Sequence, residues 1–211
     1  MFIKKIKSFF DSIFLDNYSW TRKLEDNKGF IEGMQKSPTE IPLIREIPLR
    51  LVKANSRVLS AGCGPGREVK FLVQELGCAV TAIDISENMI NLSKKHEKNA
   101  EYILGDISKF KSKKKFDYII CLFNTINYLP GLEARKEFIE NCDFNLKNTG
   151  KLIITTGHRF SSVRAFIFQL LHPTKNYYYL PSQIDKWFEN TSFKVERSKI
   201  DHDLLLVATK S

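Results

Sequence analysis

Three glycines at alternate positions, Gly62, Gly64 and Gly66, directly follow the apolar run Val58-Leu59-Ser60-Ala61. Glycine takes a positive φ without steric cost and, lacking Cβ, lets a ligand lie against the chain. A second apolar run, Val80-Thr81-Ala82-Ile83, ends in Asp84, 18 residues after Gly66. A carboxylate closing a strand at that distance can accept hydrogen bonds from a ribose diol, while N–H groups at a helix start favour an anionic group. Together these residues predict a nucleoside site. A nicotinamide dinucleotide fingerprint places its third glycine one residue later, where this chain has Arg67, and a P-loop closes on Gly-Lys-Ser/Thr, which is missing here. Two further groups carry chemistry. His158, in Gly157-His158-Arg159, titrates near neutrality and could take a proton from an acceptor, and Tyr128 could orient one. Cys63, Cys78, Cys121 and Cys142 lie far apart, with no Cys-x-x-Cys and no histidine at ligand spacing, so they read as buried thiols and no metal site is expected.

These groups need elements to hold them. Val58 to Ala61 reads as a buried strand, and Val69, Leu72, Val73 and Leu76 recur at helical spacing, so the glycines lie in a strand-to-helix turn. Ser86 is placed to cap a helix carrying Met89, Ile90 and Leu92, with Glu87 favoured by the helix dipole. Tyr102 to Leu104 reads as a third strand and Tyr118 to Leu122 as a fourth, apolar throughout as in a parallel sheet. Leu132 to Leu146 follows as a helix ended by Gly150, then Leu152 to Thr156 as a fifth strand. Ile184 to Asn190 reads as a helix, and Phe193 to Lys199 and Leu204 to Lys210 as a closing hairpin. In such sheets a ligand sits beyond the carboxyl ends of the strands, where strand order reverses. Ends of the first and fourth strands, and His158 after the fifth, therefore share one edge.

The Gly-x-Gly-x-Gly spacing, with Asp84 ending the second strand and Gly105-Asp106 the third, resembles the class I S-adenosylmethionine-dependent methyltransferases from about Arg57 to the C-terminus. The resemblance implies a doubly wound α/β domain, with a seven-stranded, mostly parallel sheet and an antiparallel last strand. It assigns the methionine portion of the cofactor to Ala61, Gly62, Cys63, Gly64 and Gly66, and the ribose to Asp84. It further assigns cofactor contacts to Ile85, Met89 and Gly105, and the adenine to Asp106 and Ile107. Leu122 and Asn124 are given cofactor contacts made mostly through backbone. Phe123-Asn124-Thr125-Ile126 lacks the Pro-Pro-aromatic loop of enzymes that methylate base amino groups, and is similar to the form found in small-molecule enzymes. The implied reaction is methyl transfer from S-adenosylmethionine to a nitrogen or oxygen of a small-molecule acceptor. Where the family carries an acid two residues before the first glycine, this chain has Ser60.

The remaining composition bounds the partners. The chain has 211 residues, a formal charge of +9, a sequence pI near 9.3 and 43% hydrophobic residues, enough for one domain with a core. We divide it into an N-terminal segment, 1–40, and a core, 41–211, carrying an insertion at 157–181. Residues 2 to 15 form a basic amphipathic pattern that suits docking on the domain or a second subunit, with weak membrane-surface attachment as the alternative. Ser37 to Lys53 is helical in pattern but broken by Pro42 and Pro48. In the resembling family the region of Tyr18 and Trp20 folds over the cofactor and shapes the acceptor site. The insertion is expected to roof that site, or to serve packing or a dimer contact. Lys109 to Lys115 is a basic run without the interleaved aromatics of a stacking surface, so a solvated loop is preferred over nucleic-acid binding. No run approaches a membrane span, and a cytoplasmic enzyme is expected. Two alternatives stay open: an RNA- or protein-modifying methyltransferase, and a catalytically silent cofactor-binding subunit.

Overall fold

Alternation along the strands decides how the layers stack. In β1 (Arg57–Ala61), Leu59 and Ala61 face one side of the sheet and Val58 and Ser60 the other, and all four are buried. Both faces must therefore be covered. The computed structural model describes residues 49–158, 178–200 and 203–211, with backbone alone for His158 and Tyr178. Within it, β1 lies between β2 (Ala79–Asp84) and β4 (Phe116–Cys121), and β3 (Glu101–Leu104) extends the β2 side. Beyond β4 come β5 (Leu146–His158), β8 (Asp203–Lys210) and β7 (Phe193–Ile200). β1 to β5 run parallel, whereas β8 is antiparallel to both β5 and β7. This is the doubly wound, seven-stranded sheet expected, with its antiparallel last strand. A two-residue β6 (Tyr178–Tyr179) adds to β5 in parallel, within the insertion, where the sequence pattern suggests no strand.

Helices α1 (Arg67–Gln74) and α2 (Glu87–His96) cover one face. Val69, Leu72 and Ile90 pack there against Val58, Val80, Ala82, Ile120 and Ile153. On the other face α3 (Gly131–Asn145) lays Phe138, Ile139 and Cys142 against Leu59, Ile83, Ile119, Leu152 and Ile154. The short α4 (Pro181–Asp185) and the 3-10 turn Lys186–Phe188 add Ile184 and Trp187 to that layer. Burial of each such aliphatic side chain is worth about 1.5–3 kcal/mol, so the two layers fix the register on which the strand ends depend.

Two boundaries differ from expectation. Gly150 does not end α3, which stops at Asn145; the strand begins at once with Leu146 and bulges against β4 between Phe116 and Tyr118. Thr149 takes a φ of 63° in this bulge, and a Cβ on Gly150 would lie 2.9 Å from the Lys147 carbonyl oxygen. The glycine thus serves a close backbone approach within β5. The helix expected over Ile184 to Asn190 is instead α4 followed by the 3-10 turn. The patterns at residues 2–15 and the first twelve residues of 37–53 fall outside the described residues; Leu49–Leu51 of the latter is a 3-10 turn.

Candidate active site

The carboxyl ends of β1 and β4 meet where the strand order reverses, and the turn after β1 sets the polar groups on the β1–β3 side of that edge. Gly62 and Cys63 both donate their backbone N–H to the Ile83 carbonyl, at 2.8 and 3.0 Å, which folds the chain back over β2. Each glycine answers a different demand. A Cβ on Gly62 (φ 75°) would sit 2.2 Å from the Thr125 methyl, and one on Gly66 (φ 84°) 2.0 Å from Ser93 Oγ of α2. Gly64 (φ 50°) faces open space, with nothing within 4 Å of the Cβ position. A turn clamped on both sides and bare in the middle suits a ligand lying on the Gly64 backbone. Pro65, between them, accepts a hydrogen bond at 2.9 Å from His96 Nδ1 at the end of α2.

Asp84 ties this turn to β2. Its Oδ2 accepts from the Gly64 N–H at 2.8 Å and its Oδ1 from the Ser86 N–H at 2.9 Å. Burial pushes the Asp84 carboxyl up, and the N–H groups of Ser86, Gly64 and Ile85 pull it back. A carboxylate has roughly four acceptor positions, so this pairing leaves capacity for a diol. Ser86 caps α2 as expected, accepting from the Met89 N–H at 3.3 Å, which buries Met89 below the site beside half-buried Ile85. At the end of β3, Gly105 donates to the Asp84 carbonyl. Asp106 Oδ1 accepts from both the N–H and the hydroxyl of Ser108, at 2.8 Å each, and Ile107 packs against the core. A Cβ on Gly105 would make only ordinary contact, so sterics place no demand there.

A further carboxylate lies under the turn, and the sequence reading did not single it out. Glu68, in the first turn of α1, is 4% exposed, and Ser60, 1% exposed, donates its hydroxyl to Glu68 Oε1 at 2.9 Å. Burial raises the Glu68 carboxyl to about 7, against the lowering effects of its own N–H and the Ser60 hydroxyl. Position 60, where the family places an acid, is thus hydrogen-bonded to one. Glu68 could have been noticed as an acid facing the sheet eight residues from Ser60. Cys63 is buried beside it, its thiol pushed well above the usual range by burial and by Asp84 and Glu68.

The edge beyond β4 is built differently. Leu122 uses its carbonyl to accept from the N–H and hydroxyl of Thr125, at 3.1 and 2.8 Å. Phe123 and Asn124 both take left-handed φ, 54° and 62°, unfavourable for residues with a Cβ and common where a site constrains the chain. Asn124 Oδ1 is buried without a hydrogen-bond partner among the described residues, while its Nδ2 donates to Asp203 Oδ1 at 3.4 Å. Asp203 opens β8 opposite Gly157 of β5, bringing a second overlooked acid to this edge. Sequence reading had used it only as a hairpin residue. His158 ends β5 at the same edge, as expected; its side chain is not described, and Tyr18 and Trp20 lie outside the described residues. Tyr128, 39% exposed, closes the 3-10 turn Thr125–Tyr128, and desolvation pushes its phenol up, keeping it protonated.

Buried Arg135 of α3 holds that 3-10 turn from below. Its guanidinium donates to the carbonyls of Ile126, Gly131 and Asn127 and lies over the rings of Tyr179 and Trp187, 5.1 and 6.0 Å from their centroids. Thr156 donates to Asn127 Oδ1 at 2.8 Å, fastening the turn to β5. Tyr179 is thereby core, edge-on to Trp187 at 4.8 Å, and not part of a roof. The rest of the insertion, 159–177, lies outside the described residues. In the basic run, Lys114 pairs with Glu101 at 3.2 Å, and Lys111 and Lys115 lie over the half-exposed ring of Phe144. These lysines are engaged within the chain, as a loop's would be. Among the described residues no cluster of ligating side chains could hold a metal ion.

Residues 58–150 match a family model described as a methyltransferase domain. The ubiquinone biosynthesis O-methyltransferase of Coxiella burnetii (strain RSA 331 / Henzerling II) is 28% identical over 167 residues, 72% of this chain and 69% of that protein. Among solved structures, magnesium protoporphyrin IX methyltransferase from Synechocystis PCC 6803, with bound S-adenosylmethionine, superposes with a TM-score of 0.66 at 18% identity, over 93% of this chain and 98% of that one. The N-methyltransferase NodS from Bradyrhizobium japonicum WM9, in complex with S-adenosylhomocysteine, gives 0.59 at 19% identity over 90% of each chain.

Proposed function

We propose that this chain, a member of the class I S-adenosylmethionine-dependent methyltransferases, transfers the methyl group of S-adenosylmethionine to an oxygen of its small-molecule acceptor. Family and fold carry the cofactor and the reaction. The choice of oxygen rests on the O-methyltransferase name of the 28% identical relative. One observation supports the cofactor site above others: the bare Gly64 backbone held at 2.8 Å to the Asp84 carboxylate. In this reading Ala61, Gly62, Cys63, Gly64 and Gly66 receive the methionine portion and Asp84 the ribose. Ile85, Met89, Gly105, Asp106 and Ile107 bound the adenine. Leu122 and Asn124 close the methionine side in this reading, mostly through backbone.

The bound cofactor supplies a methyl group already activated on a sulfonium, so no protein nucleophile is needed. The chain's task is to hold the acceptor in line at near-attack distance, an arrangement that can lower a barrier by roughly 7–11 kcal/mol. In this proposal His158, whose backbone ends β5, takes the acceptor hydroxyl proton, and Tyr128, protonated, orients the acceptor. Tyr18 and Trp20 complete the acceptor pocket in this proposal, with residues 1–40 as its lid.

Calorimetry tests the cofactor half: S-adenosylmethionine and its demethylated product should bind, and NADH should not. Turnover with paired hydroxyl and amine acceptors tests the other half. Methylation of amines alone would overturn the oxygen assignment, and RNA binding that weakens steeply with salt would favour a nucleic-acid substrate. A cytoplasmic location is supported by four free, buried cysteines. No helix among the described residues is long and apolar enough to cross a membrane. Self-association through the insertion is checked by light scattering.

A further inference from the structure

We infer that Glu68, held by Ser60 beneath the glycine turn, is the counter-charge for the positively charged cofactor, and that binding the cofactor expels a proton from it. The inference rests on the cofactor reading above and extends it to a residue that reading does not use. A tie between β1 and α1 needs only an acceptor for the Ser60 hydroxyl, which a neutral amide would provide without the cost of burying an ionisable group. What is buried is a carboxyl group, 4% exposed, bonded to Ser60 at 2.9 Å and close enough to Cys63 in the turn to raise its thiol. S-adenosylmethionine brings two cations, a sulfonium and an ammonium, against a single carboxylate of its own.

The groups around Glu68 leave it as the one to respond. On its own helix, Arg67 favours the ionised form, and Asp84 at the end of β2 opposes it. Cys63 in the turn and Cys121 at the end of β4 are both pushed up by burial, and Tyr102 of β3 is raised to about 12, so all three are neutral near pH 7. Ser60 of β1 donates its hydroxyl to Glu68 Oε1 and carries no charge of its own. Without ligand the Glu68 carboxyl, at about 7, is roughly half protonated in neutral solution. A cation brought close to this buried carboxyl favours the carboxylate and lowers that value, so the proton leaves as the ligand arrives.

The sign follows from linkage: affinity for the cationic ligand rises with pH up to about 7 and then levels off. Asp84, facing the ribose, titrates in the same direction for any nucleoside, so a neutral nucleoside separates the two acids. The probes are S-adenosylmethionine and uncharged 5′-methylthioadenosine, titrated into the full chain by calorimetry. Affinity for S-adenosylmethionine should be about tenfold tighter at about pH 7.3 than at about pH 5.8, with net proton release in buffers of different ionisation heat. Affinity for 5′-methylthioadenosine should change by less than about twofold. Glu68→Gln keeps an acceptor for Ser60; it should bind S-adenosylmethionine with the weak, low-pH affinity of the wild type at both pH values and leave nucleoside affinity unchanged.

A wild type with no proton release, or a Glu68→Gln variant that retains the pH dependence, overturns the inference. Equal weakening of both ligands in the variant also overturns it, since that is the mark of a structural tie. If the variant does not fold, the wild-type proton count still decides. Failure of both ligands to bind at either pH overturns the cofactor reading itself, and is a different result from binding without proton release.

Discussion

The two halves of the carboxyl edge hold their chains in contrasting ways. At the β1–β3 half, positive φ falls on glycines, and Asp84 binds the N–H groups of Gly64 and Ser86, so the site is made by turns. Across the β4–β5–β8 half, positive φ falls on Phe123 and Asn124, and side chains hold the edge across long stretches of sequence: Asn124 to Asp203, Thr156 to Asn127, Arg135 to three carbonyls. A backbone-built site is tolerant of which side chains surround it and suits a cofactor whose chemistry does not vary. A side-chain-built site changes with each substitution, which suits the acceptor recognition proposed for this half.

The strongest test of that contrast separates clamped from open glycines. Gly66→Ala sets a Cβ 2.9 Å from the Ser93 Cα at a φ of 84°, so neither partner can yield, and a loss on the order of 4 kcal/mol in stability is expected. Gly64→Ala adds only the left-handed strain, about 1–2 kcal/mol, because nothing lies within 4 Å. Its cofactor affinity should nevertheless fall at least about tenfold, as the methyl occupies the ligand's side of the turn. Thermal unfolding and calorimetry on the two variants should give opposite rankings; the same ranking in both would remove the bare-middle reading of the turn.

His158→Ala probes the other half. If His158 takes the acceptor proton, turnover should fall about 10²–10⁴-fold with cofactor affinity intact. The wild-type rate should fall as pH drops through the histidine's range, and the variant should lose that limb. Unchanged rates would remove His158 and leave Tyr128 and Asp203 to be tested.

Glu68 sharpens the cofactor half through stability. Its folded pKa, about 7, is raised above the usual 4.5, so the folded chain holds a proton that the unfolded chain releases. The resulting stabilisation is present in full below about pH 4.5 and is lost as pH rises through about 7, a change on the order of 3 kcal/mol. The ligand-free melting temperature should therefore decline across that window, and the decline should vanish in Glu68→Gln. Asp84→Ala comes next in size. It removes hydrogen bonds worth about 1.5–3 kcal/mol each when charged, so at least a tenfold loss of affinity for S-adenosylmethionine is expected by calorimetry.

The contrast also governs what could be read before the structure. The glycine turn, the Ser86 cap and the strand ends were legible because each is a local pattern whose partners lie within a few residues or follow from strand order. Glu68 was hidden because an acid in the first turn of a helix is already explained by the helix dipole. Asp203 was hidden because Asp-His-Asp between two strands is ordinary turn composition. Gly150 was misassigned since a glycine after a helical run is usually its stop signal, whereas here it meets the Lys147 carbonyl inside a bulge. In each case the deciding contact joins residues that no periodicity connects.

Asn124→Gly carries the smallest expected effect and tests the boundary between the two halves. The residue sits at a φ of 62°, which glycine accepts without strain, so the relief and the lost Asp203 contact should nearly cancel, leaving stability within about 0.5 kcal/mol. If Asn124 meets the cofactor through its backbone, affinity should stay within about twofold, since the turn after β4 is still held by Thr125, Thr156 and Arg135. Acceptor KM should change instead if Asp203, which loses the Asn124 amide at 3.4 Å, meets the acceptor. A tenfold fall in cofactor affinity would mean that the buried Oδ1 is itself a cofactor ligand, and that the side-chain-built half reaches across the edge to hold the cofactor as well.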